Sequence, residues 1–286
     1  MKKSISVRVN GKEYEIPNSW DLLTSEQYLK LIELVSLMES GQYSLGVVKC
    51  QFLCCLMKWD ARKIGSYEPN LENFVSVASR ISFFYKEKED MFVLDLCFCR
   101  QMLPIIFIGK KAYYGYEVST DYNSLTCSLS ALQYIEARQL LDMGEESLPL
   151  LAAVLYFRKG EYSSEKAQKL AGEFEKLPAN TLRAVALNFT AVNNFIFQKT
   201  EFSLLTKFVP QKGNAITTDA TDALYDLAKD GLGNASQVER MNMLTYLRIL
   251  RKKTIDGVKT LRTAGMDVAK IASEVGLPLE IVKKII

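Results

Sequence analysis

The sequence predicts an α+β fold, mainly α, with two related β-hairpin-plus-helices units followed by an all-helical C-terminal module. Three observations predict it. Extended apolar segments flank turn dipeptides at two places about a hundred residues apart, and a capping box with an amphipathic helix follows each. Beyond a Pro-, Gly- and Thr-containing stretch only helical periodicity remains.

The elements follow in order. Residues 5–9 and 12–16 alternate apolar and polar around Asn10-Gly11, the strongest short hairpin signal. In Thr24-Ser25-Glu26-Gln27 a threonine N-cap and a glutamine three residues on make a capping box. Leu29, Ile32, Leu34 and Val35 supply that helix's apolar face, and Gly41 closes it. A second helix over 45–59 is apolar on nearly every side, as a buried helix is, and a third is expected over 71–88.

The same order then recurs. Residues 105–108 and 112–118 flank Gly109-Lys110, and Ser130-Ala131-Leu132-Gln133 is a second capping box. Gln27-Tyr28-Leu29 aligns with Gln133-Tyr134-Ile135, the apolar run 52–57 with 150–155, and the helix over 71–85 with one over 181–197. The second copy adds an amphipathic helix over 164–176, which Pro178 stops. We therefore expect a tandem duplication, with one unit over 1–103 and another over 104–208. A linker over 209–221 and a basic helical module over 222–286 follow, with helices over 219–230 and 237–254 and a C-terminal pair.

Composition narrows the function. At 48% hydrophobic and 24% charged with a net charge of +3, the 286 residues describe a soluble chain of about two domains. The absence of histidine excludes a Ser-His-Asp triad, a Cys-His dyad, an HExxH protease and any His-ligated metal. No glycine stretch approaches GxxxxGK[ST], and carboxylate pairs such as Glu145-Glu146 read as solvated faces or caps. A non-enzymatic protein without metal or cofactor is expected.

Met1-Lys2-Lys3 leads into a strand rather than an apolar signal-peptide core, and the apolar stretch 91–108 is broken by Asp95, Arg100 and Pro104. The host-cell cytoplasm is the expected location, with no membrane partner. Cys50, Cys54, Cys55, Cys97, Cys99 and Cys127 read as small buried hydrophobes in a reducing compartment. A zinc set would be the alternative, but there is no CxxC pair, and Cys97 and Cys99 are spaced for one face of a strand.

Several stretches carry a resemblance: Leu103-Pro104, Gly109-Lys110 and Tyr113-Tyr114-Gly115; the run from Val154 through Tyr156-Phe157 to Gly160-Glu161-Tyr162; then Phe174-Glu175-Lys176-Leu177-Pro178 and Asn193-Asn194-Phe195-Ile196. Together with Met241-Asn242-Met243-Leu244 they resemble tail-morphogenesis proteins, similar to tail assembly chaperones, of phages and prophages of Bacteroides-like bacteria. The family pattern has proline where this chain has Tyr116. The resemblance implies a partner in the tail, the tape-measure or the tail-tube protein. A tape measure is a long helical chain whose apolar stripes need covering until tube subunits assemble on it. Tyr113, Tyr114 and Tyr116 on the second hairpin are the candidate partner-binding aromatics.

The C-terminus offers a rival reading. Ile271-Ala272-Ser273-Glu274-Val275-Gly276-Leu277, with Val282 and Ile285, has helix-turn-helix spacing: a small residue at the crossing, glycine at the turn, and apolar residues seating the second helix. Residues 266–274 and 278–286 would be the two helices. The second starts Pro278-Leu279-Glu280, poor in base-reading side chains, so a protein-docking hairpin and a DNA contact both stay open. From Arg248 onward nine Lys and Arg stand against four Asp and Glu, and Arg262, Lys270, Lys283 and Lys284 are the candidate nucleic-acid residues.

Overall fold

Thr24 and Ser130 each start a helix in the way their sequences dictate. The Thr24 hydroxyl accepts from the Gln27 N–H while the Gln27 side chain accepts from the Thr24 N–H, and Ser130 and Gln133 do the same. Both boxes satisfy amide donors that a helix start otherwise leaves open. A computed structural model describes residues 4–9, 12–60, 68–89, 91–121, 124–157, 161–205, 224, 228–229, 231 and 233–286. It shows a mixed α+β fold with several small β-hairpins and a predominantly helical C-terminal region.

Strands β1 (Ser4–Val9) and β2 (Lys12–Pro17) pair antiparallel, with Ile5 opposite Ile16 and both buried. The Asn10-Gly11 turn lies outside the described residues. Helix α1 (Ser25–Glu39) buries Tyr28, Leu31, Ile32, Leu34 and Val35, the helical spacing of one apolar face. Helix α2 (Leu45–Met57) buries Val48, Phe52, Leu53 and Cys54 but leaves Val47 exposed, so it is a half-buried layer rather than a central helix.

The expected helix over 71–88 is instead helix α3 (Glu68–Ser79) followed by a hairpin of β3 (Tyr85–Lys88) and β4 (Met91–Leu94). The stretch 81–85, apolar except for Ser82, fits either period in sequence. Burial of Ile81 and Phe84 and the left-handed Glu89 at φ 50° make it a turn and a hairpin. Lys49 of α2 holds this corner. Its ammonium donates to Ser79 O at 3.0 Å, at the end of α3, and to the Tyr85 hydroxyl at 2.6 Å.

Residues 96–104 belong to no strand, so Cys97 and Cys99 do not sit in a sheet as expected. Side chains take the place of a neighbouring strand. Trp20 Nε1 donates to Asp95 O, Asn194 to Leu96 O, Asn188 to Arg100 O, Ser25 to Met102 O and Tyr156 to Leu103 O. These five backbone carbonyls thereby find donors outside any sheet.

Strands β5 (Ile105–Ile108) and β6 (Lys111–Tyr114) form a third hairpin and β7 (Val118–Ser119) with β8 (Thr126–Cys127) a fourth. Helices α4 (Ala131–Asp142), α5 (Leu148–Leu155), α6 (Ser164–Phe174) and α7 (Ala179–Lys199) follow. Helix α7 runs through the core, burying residues from Leu182 to Ile196 on several sides. Tyr28 of α1 donates to Ala184 O at 2.8 Å, and the Tyr134 ring of α4 meets Phe189 edge-on at 6.3 Å. One apolar cluster runs from Ile5 to Leu247.

The linker expected over 209–221 and most of the helix expected over 219–230 lie outside the described residues. The helix expected over 237–254 is two: α8 (Ala235–Arg240) and α9 (Met243–Thr263), parted at Met241-Asn242. Helix α9 starts in the large core with Met243, Leu244, Tyr246 and Leu247. Its Val258 joins Ile271, Ala272, Leu277 and Val282 in a second, small core with α10 (Val268–Val275) and α11 (Leu279–Ile285).

Candidate functional site

The β5–β6 hairpin owes its turn to Gly109, at φ +59°, a backbone region that side-chain-bearing residues avoid. Its register pairs Ile105 with Tyr114 and Phe107 with Ala112 on one face, and Ile106 with Tyr113 and Ile108 with Lys111 on the other. The inner face is satisfied: Ile106 is buried, the Tyr113 ring lies 5.1 Å from Phe174, and Lys111 pairs with Glu173 at 3.3 Å. The outer face is not covered. Ile105 is 41% exposed, Tyr114 45% and Phe107 68%.

The three expected tyrosines therefore do not share a surface. Tyr114 is exposed, Tyr113 is half-buried against α6, and Tyr116 is 4% exposed. Strand alternation alone would put Tyr114 and Tyr116 on the same side. The hairpin ends with one last bond, from the Gly115 N–H to Pro104 O, and the Tyr116 N–H donates instead to Leu155 O at the end of α5. A Cβ at Gly115 would meet Gln101 Nε2 at 3.0 Å and the Tyr156 ring at 3.2 Å, so only glycine fits there without displacement. Tyr116 then packs edge-on to Phe189, and burial pushes its hydroxyl well above the usual tyrosine range. It is a core residue, not a contact surface. Ile105 and Phe107 are the residues that sequence reasoning missed. In the run Ile105-Ile106-Phe107-Ile108 every position is apolar, so composition hides which face is covered.

The C-terminal candidates surround the small core. Gly276 takes φ +66° between α10 and α11, Ala272 and Val282 are buried, and Ile285 is half-buried, as the helix-turn-helix spacing predicts for a packed hairpin. Arg262, Lys270, Lys283 and Lys284 are all exposed. Arg262 donates to Met266 O at 3.4 Å, and Lys283 pairs with Glu280 within α11 at 2.8 Å. Lys270 and Lys284 have no ion pair among the described residues.

Two clefts among the described residues open to solvent. One of about 560 Å³ lies between the starts of α4 and α6 and the side of α8, with Lys166, Glu239 and Arg240 at its walls. The other, about 550 Å³, is a groove between α1, α2 and the start of α7, floored by Leu29, Cys54, Trp59 and Pro178 and edged by Glu26 and Glu33. Burial raises the Cys54 and Cys127 thiols to about 11 and Cys99 to about 12, which keeps them protonated and poorly nucleophilic at neutral pH. Among the described residues, no three His, Cys, Asp or Glu side chains are grouped to hold a metal ion, and no helix is long and apolar enough to cross a membrane.

No protein-family model, no curated protein and no solved structure matches this chain.

Proposed function

We propose that the protein is a non-enzymatic tail assembly chaperone or scaffold, acting in the host cytoplasm on the tape-measure or tail-tube protein of a phage. The observation that carries this reading is the uncovered outer face of the β5–β6 hairpin, where Ile105, Phe107 and Tyr114 present aromatic and aliphatic surface on a backbone fixed by its own inner face. Contiguous exposed apolar side chains on a rigid element are a common mark of a protein-binding surface. The residues that resemble tail-morphogenesis proteins include Gly109-Lys110 and Tyr113-Tyr114-Gly115, which shape this hairpin. In this reading the fold is two related hairpin-plus-helices units. The matched capping boxes at Thr24 and Ser130, and the matched tyrosines Tyr28 and Tyr134 that both meet α7, support it.

Base reading by residues 262–286 has less support. Helix α11 opens with Leu279 and Glu280, and Glu280 is tied to Lys283, leaving no side chain at its start that discriminates bases.

The test is co-expression with the tape-measure protein of the same phage. The wild-type chain should hold the tape measure in the soluble fraction, and an Ile105→Ser/Phe107→Ser variant with an unchanged melting curve should not. A tape measure that stays soluble alone, or equally well with the variant, would refute the reading.

A further inference from the structure

On α9, Arg248, Lys252, Lys259 and Arg262 are four, seven and three residues apart. At about 100° per residue they fall within roughly 40° of one line along the helix. All four are exposed, and Ile255 is the other residue on that line. The stripe is about 21 Å long at about 1.5 Å per residue. Lys252 and Lys259 have no ion pair among the described residues. Arg248 reaches Glu201 only at 3.9 Å.

The charge is segregated. Residues 248–286 carry a surplus of five positive charges, whereas the whole chain carries +3, so the remainder is net negative. That arrangement orients the arm toward a polyanion.

The chemistry of the arm selects among polyanions. It contains no Phe, Tyr or Trp, so it lacks the stacking platforms that hold single-stranded nucleic acid and the aromatic anchors that concentrate protein–protein affinity. What it offers is a straight row of cations. A duplex carries a phosphate about every 1.7 Å of its axis, both strands counted, so a 21 Å row laid against it spans a length that holds roughly twelve of them.

We infer that the α9 stripe of Arg248, Lys252, Lys259 and Arg262 is a sequence-independent docking surface for the phosphate backbone of duplex DNA. It is distinct from α11 and from the hairpin face. Lysine ammoniums act there as point charges, which neutralise phosphates without reading bases.

The test is fluorescence anisotropy of the full-length chain with a labelled mixed-sequence 30-base-pair duplex, from 25 to 200 mM KCl. Binding should weaken with salt at a log–log slope near −3 to −4, because about four phosphates are neutralised at roughly −0.9 each. A Lys252→Glu/Lys259→Glu variant should bind roughly tenfold or more weakly with a slope shallower by about 2. A Lys88→Glu/Lys110→Glu variant of equal net charge, altered at hairpin tips, should bind like wild type. Circular dichroism checks that each variant is folded. The inference is overturned by no binding at 25 mM KCl or by equal losses in the two variants. Tighter binding of single-stranded DNA, or of poly-glutamate in place of the duplex, overturns it as well.

Discussion

Ser130 and Asn242 stand side by side as the N-caps of two helices, α4 and α9, joined by an isolated antiparallel bridge. The Ala131 N–H donates to Met241 O at 2.8 Å and the Met243 N–H to Leu129 O at 3.0 Å. Asn242 also donates from its side-chain amide to Cys127 O while its carbonyl accepts from the Leu244 N–H. This junction fastens the basic arm to the large core, and it sets where α9 begins.

Asn242→Ala removes a helix cap and leaves Cys127 O without that donor. We expect a loss of about 1–2 kcal/mol in urea-induced unfolding. Amide exchange in the first turn of α9 should rise more than in α1. Equal protection in wild type and variant would show that the junction does not anchor the arm.

Asn188 is 1% exposed and uses both ends of its amide, accepting from the Met102 N–H and donating to Arg100 O, each at 2.8 Å. Asn188→Leu keeps the number of side-chain heavy atoms and strands both backbone groups, so it should cost roughly 2–4 kcal/mol. Chemical denaturation measures it, and a loss below 1 kcal/mol would mean that residues 95–104 find other partners.

Tyr116 and Tyr156 should respond oppositely to loss of a hydroxyl. The buried Tyr116 hydroxyl has no partner among the described residues, whereas Tyr156 donates to Leu103 O at 2.5 Å. Tyr116→Phe should leave stability unchanged or raise it by up to about 1 kcal/mol, and Tyr156→Phe should lower it by about 1 kcal/mol. Paired melting curves decide, and the reverse order would contradict the hydrogen-bond assignment.

Alkaline pH should destabilise the fold. Burial raises Cys127 and Cys54 from the ordinary thiol value of 9.0 to about 11, with Tyr134 and Tyr246 pushed up to about 12. The unfolded chain releases these protons at lower pH than the folded one. The stability they contribute is therefore complete below pH 9 and is lost as pH rises through about 11. Melting temperature measured from pH 8 to 10.5 should fall across the upper part of that range, and Cys127→Ala should flatten the fall relative to its own value at pH 8.

What could be read without a structure was chemistry confined to a few neighbouring residues. Capping boxes at Thr24 and Ser130, the glycine turn at 109, the Gly276 turn and the helical faces of α1 and α6 all depend on interactions within one or two turns of chain. They hold wherever the segment sits. The hairpin of β3 and β4 escaped because its tip carries Glu89 in a left-handed conformation rather than the glycine or asparagine that would have marked it. The break before α9 escaped because its cause is the backbone of residues 129–131, more than a hundred positions away.

The candidate surface divides in the same way. Apolar residues in 105–108 and tyrosines at 113, 114 and 116 are plain in the sequence, as is the basic surplus after residue 248. Which of them face outward was decided by tertiary packing alone. Phe174 covers Tyr113, Phe189 takes Tyr116 once its N–H has left the hairpin for Leu155 O, and nothing in the described fold covers Phe107. Alternation and periodicity sort a chain into faces, but only the neighbours that arrive from distant positions determine which face is buried and which is left for a partner.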